Sequence, residues 1–305
     1  MVYHYTNIKS HPSEVPMSRF LQNCADYIKT QPFEIIRISQ IHNGGEIETI
    51  HCREENPCQN TYSVAKSFTM TAIGLLYDRG LVTPEEKVCD ILADFLPEEG
   101  MDPRWRDVTV DMALTHRLGL PVGFLDIDVN PASTFGWDYL HYMLTYPLVY
   151  DPGTDYKYSD GAFYLLSRVV SAKCGMPMDT FLWKELFYPL GFQEMAWSRC
   201  PMGYPMGATG LYISSADMVK LGQVYLEGGT YYGRRILSEE WVRMALEREY
   251  AFEWNETHQY FAKGGMCGQK LMVIPEAHRA VALQAYGANS EVVARWVLEH
   301  SSEEE

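Results

Sequence analysis

Strand signals in this sequence lie near its two ends, and helical signals fill the stretch between them. Phe33 to Ser39 is rich in β-branched residues, His42-Asn43-Gly44-Gly45 reads as a turn, and Ile47 to Cys52 returns, which predicts a β-hairpin. Near the other end, Lys270 to Ile274 and Ala280 to Ala285 are short apolar strands around a Pro275-Glu276 turn. From about 84 to 200 the signals are helical with proline-marked loops, the candidates being 108–116, 137–145, 160–173 and 178–187. If terminal strands meet in one sheet, the chain between them must fold as an insertion. The expected fold class is therefore α+β, one domain over 1–305. An antiparallel sheet flanked by helices forms an α/β lobe from 1–83 with 201–305, and a mostly helical lobe spans 84–200.

Further helices are expected over 17–28 and over a stretch following Ser63, with Phe68, Ala72, Leu75 and Leu76 on its apolar face. Ser214 or Ser215 is placed to cap a helix over Met218 to Glu227, and helices also fit Ser238 to Leu246 and 289–299. A chain of 305 residues lies near the upper size for a single core. A net charge of −15 argues against nucleic-acid and anionic-membrane partners, which would repel it. No apolar run approaches the roughly 18 residues of a membrane span. The first residues show no basic segment followed by an apolar one, so the expected location is cytoplasmic. The end, residues 301 to 305, reads as a frayed acidic tail. Seven cysteines without CxxC spacing suit reduced thiols. His51, Cys52 and Cys58 come nearest to a ligand cluster but lack a second pair, so neither metal nor cofactor is expected.

Chemistry concentrates in three segments. Ser63-Val64-Ala65-Lys66 is the only Ser-x-x-Lys in the chain. At the start of a helix, residues three apart share a face, so the lysine amine can reach the serine hydroxyl and activate it if its own proton is lost. The plainer reading is a capping serine and a solvated lysine. Tyr158-Ser159-Asp160 precedes a helical stretch, where a tyrosine near a lysine could shuttle a proton, and Tyr156 competes for that role. In Lys263-Gly264-Gly265 the lysine offers charge to a carboxylate or oxyanion and the glycines allow close approach; alone, the tripeptide reads as a loop.

Taken in order, these segments resemble the serine β-lactamase and penicillin-binding protein family. The likeness is to the branch of class C β-lactamases, D-alanyl-D-alanine carboxypeptidases, family VIII esterases and 6-aminohexanoate-dimer hydrolase. Tyr62 to Phe68 is similar to the family's nucleophile segment, and Leu114 to Leu120 to a conserved-looking loop with Leu118 where serine is usual. Pro152-Gly153 with Tyr158-Ser159-Asp160, Pro189 to Phe192, Thr209 to Tyr212 with Ala216-Asp217-Met218, and Lys263 to Gln269 also match family segments. The resemblance covers about 60 to 285. It implies a β-lactamase/transpeptidase-like fold with the site between two lobes. Ser63 would be acylated, Lys66 and Tyr158 would share the proton transfers, and Lys263 would orient substrate beside Gly265. The N–H groups of Ser63 and Met266 would form the oxyanion hole, and His116 would brace a loop rather than serve a triad.

Two positions depart from the family pattern. Asp160 stands where asparagine is frequent, and a carboxylate beside Lys66 would favour its charged form. Gly264 stands where threonine is usual, removing a hydroxyl that would bind a substrate carboxylate. Both shift the expectation from β-lactamase towards an esterase or amidase acting on a small ester, amide or peptide, without fixing an oligomeric state. The competing expectation is a sensor or binding module that keeps the pocket and has lost turnover.

Overall fold

A computed structural model describes residues 17–302. The strands are β1 Ile35–His42, β2 Glu48–His51, β3 Gln59–Asn60, β4 Ala196–Trp197, β5 Leu211–Ile213, β6 Thr230–Tyr231, β7 Arg234–Arg235, β8 Glu253–Trp254, β9 Phe261–Gly264, β10 Lys270–Ile274 and β11 Arg279–Ala285. The α-helices are α1 Arg19–Lys29, α2 Ala65–Tyr77, α3 Val88–Ile91, α4 Val110–Leu114, α5 Tyr139–Thr145, α6 Asp160–Cys174, α7 Met178–Leu182, α8 Ser215–Leu226, α9 Glu239–Glu247 and α10 Ser290–Glu299.

The two ends of the chain meet in one six-stranded antiparallel sheet of order β2-β1-β11-β10-β9-β8. β1 runs against β11 from Ile35 opposite Ala285 to His42 opposite Arg279. The middle of this sheet is covered on both faces, so β10 and β11 read as unbroken apolar runs rather than alternating ones. Met272, Ile274, Val281 and Leu283 face α1 and α10, where Phe20, Leu21, Val293 and Val297 complete a core. Leu271, Val273, Ala280 and Ala282 point the other way into the main core of the molecule. There α8 lies across the sheet, and a Cβ on its Gly222 would already sit 3.0 Å from Leu271.

Of the two serines expected to cap α8, Ser214 does so, and Ser18, Ser238 and Asn289 likewise accept a hydrogen bond from the first turn of the helix they precede. α2 is buried along nearly its whole length, its polar residues Lys66, Ser67, Thr69 and Thr71 included. Each fully buried Phe or Ile on it contributes roughly 1.5–3 kcal/mol.

The structure differs from expectation in four places. A three-stranded sheet, β3-β5-β4, joins segments from all three parts of the chain, through strands of only two or three residues with too little pattern to read. Lys263 and Gly264 end strand β9, which pairs with β10, so the expected loop begins only at Gly265. Ser63 sits in a 3₁₀ turn, Tyr62–Val64, just before α2. Ser301 is buried and its carbonyl accepts a hydrogen bond from Arg279 Nε at 3.1 Å, so the frayed tail does not begin there. The first 16 residues, on which the leader expectation rests, and 303–305 lie outside the described residues. Among the described residues no helix is long and apolar enough to cross a membrane.

Candidate active site

The turn holding Ser63 is anchored from below. Thr61 N donates to Leu211 O at 2.8 Å, and Val64 N to Thr61 O at 3.1 Å. Tyr62, just before the serine, has φ +46°, a conformation that costs a bulky residue energy. Its N–H donates to Asn60 Oδ1 at 2.9 Å, which helps hold that geometry. One helical turn on, Lys66 Nζ donates to Ser63 Oγ at 3.1 Å.

Lys66 is completely buried, yet its ammonium is well supplied with acceptors. Besides Ser63 it donates to Asp160 Oδ1 at 2.7 Å and to Ala208 O at 3.1 Å. Burial pushes the lysine pKa down, but the Asp160 carboxylate and the Tyr158 phenol oppose it, and the net direction is up. Lys66 therefore rests charged, as a donor to the serine oxygen rather than as a free base. Asp160 is itself the first residue of α6 and makes no cap; Ser159 occupies the N-cap position. Of the two positions left open for Asp160 by the sequence, the structure has the one beside Lys66.

Tyr158 packs against two lysines. Its ring centroid is 4.7 Å from Lys66 Nζ and 4.9 Å from Lys263 Nζ. Tyr156 is more exposed, and burial with Glu253 nearby pushes its phenol up to about 12. His116 packs behind Tyr158, with ring centroids 4.5 Å apart. It is buried, and that burial together with Lys66 and Lys263 holds its pKa well below the usual histidine value. A neutral ring fits its hydrogen bond, since Nδ1 accepts from Ser159 N at 3.3 Å. His116 thus braces the segment carrying Tyr158.

The turn between β9 and β10 closes over Ser63. A Cβ on Gly265 would lie 2.6 Å from Thr61 O and 2.7 Å from Gln269 Oε1, so only glycine fits where this turn meets the nucleophile segment. Gly265 N and Cys267 N are engaged by Gln269, whereas Met266 N donates to no group among the described residues. Lys263 Nζ donates to Glu253 Oε1 at 2.7 Å. The structure thus gathers Ser63, Tyr158 and Asp160 around the Lys66 ammonium, with Lys263 also against the Tyr158 ring.

Three other acids around the site carry no motif in the sequence. Asp126 and Asp128 bring carboxylate oxygens close to that of Asp160, all within 4.8 Å of one another. Burial, then Asp160, raises the pKa of Asp126; burial also raises that of Asp128, against a hydrogen bond from Thr209. These carboxylates already accept from protein donors: Asp126 from two backbone N–H groups, Asp128 from Thr209, and Asp160 from Lys66. A cation there would compete with the lysine. Glu253 is the third, a residue whose link to Lys263 depends on the pairing of β8 with β9. His51, Cys52 and Cys58 form no such group among the described residues, and all seven cysteines are free.

A family model described as Beta-lactamase matches residues 55–300. Lovastatin esterase from Penicillium rubens is 29% identical over 167 residues, covering 50% of this chain and 40% of that protein. The 6-aminohexanoate-dimer hydrolase of Paenarthrobacter ureafaciens is 23% identical over 205 residues, covering 60% of this chain and 49% of its own. The matches thus span less than half of either relative. A penicillin-binding protein homologue from Caulobacter crescentus superposes with a TM-score of 0.75 at 16% identity, covering 93% of this chain and 97% of that one.

Proposed function

The chain belongs to the beta-lactamase family, whose members are serine hydrolases, and from that premise we propose that it cleaves a small ester or amide through an acyl-serine intermediate on Ser63. The observation that carries this reading is Ser63 Oγ 3.1 Å from the Nζ of a fully buried lysine, with Tyr158 against the same amine. In the proposed cycle, Ser63 Oγ attacks the substrate carbonyl and its proton passes to the Tyr158–Lys66 pair. The N–H groups of Ser63 and Met266 would bind the oxyanion, and the leaving alcohol or amine would take the proton as its bond breaks. Water would then release the acyl group by the same route in reverse. Because Lys66 rests charged, Tyr158 is assigned the first acceptance of the serine proton, which it takes as the phenolate after giving its own proton to solvent, with the Lys66 and Lys263 ammonium groups beside its ring and Lys66 holding the serine oxygen in place. We further assign 1–83 with 201–305 to an α/β lobe and 84–200 to a helical lobe, with the site between them.

The Lys66–Asp160 ion pair favours one competing reading, a binding module with an inert serine. A fluorophosphonate probe separates the two, since only an activated serine is labelled quickly. We expect labelling of the wild type, and turnover of at least one of p-nitrophenyl esters, D-amino-acid amides or nitrocefin. Ser63→Ala should abolish labelling and cut turnover roughly a thousandfold or more. A wild-type protein that is folded but neither labels nor turns over any of them would refute the hydrolase assignment.

A further inference from the structure

We propose that Glu253 is a specificity-determining residue that closes this site to substrates bearing a carboxylate near the scissile bond, and so selects uncharged esters and amides. The inference rests on the hydrolase reading above and adds a substrate class to it. Against Tyr158 and Lys263 lies a cavity of about 440 Å³, whose lining also includes Tyr156, Glu253, Trp254 and Tyr260. A ligand extending from Ser63 past the Tyr158 ring would enter it. Lys263 lines it with its side chain almost completely buried, and its ammonium donates to the Glu253 carboxylate at 2.7 Å. The glutamate side chain, by contrast, remains 57% exposed, so its charge faces the space a ligand would occupy.

Two features make this a built arrangement rather than a surface contact. Glu253 belongs to β8 and stands opposite Ala262 of β9, so its position is set by the sheet and not by a loose loop. The cavity's other lysine, Lys270, is matched in the same manner by Glu291 at 2.6 Å. Both cations that line the cavity are therefore already neutralised. A substrate carboxylate would have to displace Glu253 from Lys263 and then lie beside the displaced charge. Gly264, next in the chain, offers no hydroxyl to offset that cost. The remaining walls include Tyr156, Tyr158, Trp254 and Tyr260, whose ring faces and polar edges suit an uncharged group.

The test uses matched ester pairs that differ only in charge, on either side of the bond. One pair is mono-(4-nitrophenyl) glutarate and its methyl ester; the other is an acyl-D-alanyl-D-lactate and the same ester ending in a carboxamide. In the wild type, kcat/KM for each uncharged ester should exceed that for its charged partner by about tenfold or more. Glu253→Gln should shift at least one of these ratios towards the carboxylate by about tenfold, the scale of removing a partly exposed charge at contact distance. Glu253→Asp, which keeps the charge, should largely retain the wild-type ratios. A wild type that takes the carboxylate esters as readily as the uncharged ones overturns the proposal, whether or not any variant folds. Unchanged ratios in a folded Glu253→Gln that still labels with fluorophosphonate also overturn it, and leave the hydrolase reading intact. Absence of wild-type labelling and of all turnover overturns both.

Discussion

Replacing Asp160 with asparagine would separate electrostatics from geometry at the reacting centre. The carboxylate accepts from Lys66 Nζ at 2.7 Å, and both groups are buried. At an effective dielectric of about 20, unit charges at that separation attract by about 6 kcal/mol before desolvation is subtracted. If even a quarter of this, ~1.5 kcal/mol, is the net hold on the ammonium, its loss multiplies the uncharged lysine about tenfold and opens a second route in which Lys66 itself takes the serine proton. The released amine is a weaker base, so part of that gain is returned. The expected net acceleration of ester turnover is about three- to thirtyfold near neutral pH, with the pH optimum moved down. Stability should move the other way, because asparagine leaves a buried ammonium with a neutral acceptor; breaking such a pair costs up to about 3–5 kcal/mol. The direction with pH follows from Lys66, whose folded pKa is raised above its ordinary 10.5. The pair's stabilisation is present below that value and is lost as pH rises through the folded one, so the two proteins should converge in strongly alkaline solution. The assay is turnover from about pH 5 to 10 for both proteins, with thermal unfolding alongside. Superimposable pH–rate profiles from a folded variant would remove the Asp160 charge from the mechanism. Loss of turnover at every pH would show instead that Asp160 is needed to position Lys66.

Two further expectations concern the scaffold of the site. Gly265→Ala should slow fluorophosphonate labelling by about a hundredfold, the scale of losing one oxyanion donor, because the new Cβ meets Thr61 O and must displace the Met266 turn; wild-type labelling rates would refute this. His116 is held neutral in the folded chain, so stability is at its full value above the ordinary 6.5 and should fall as pH drops below it. His116→Asn keeps a residue tolerant of φ +55° and should flatten the acid side of the melting-temperature profile, and an unchanged acid slope would show that another group is responsible.

The sequence determined a good deal of this protein. The apolar runs Lys270 to Ile274 and Ala280 to Ala285, the Asn43-Gly44 turn and the Ser214 cap are local signals, and each forms close to where it was read. The likeness of segments from Tyr62 to Gln269 pointed to the family and therefore to the fold. Ser63 and Lys66 were legible as a pair because three residues on a helical turn share a face. Other contacts required the tertiary structure. The strands β3, β4 and β5 are two or three residues long, too short to carry a period, and exist because distant segments supply their hydrogen bonds. Asp160 could cap or pair by its position alone; only the packing of α6 against α2 sets its carboxylate on Lys66. Asp126 and Asp128 look like ordinary loop acids until folding brings them beside Asp160. Glu253 acquires meaning only when β8 pairs with β9, because an ion pair depends on distance in space, which a sequence of separated residues does not record.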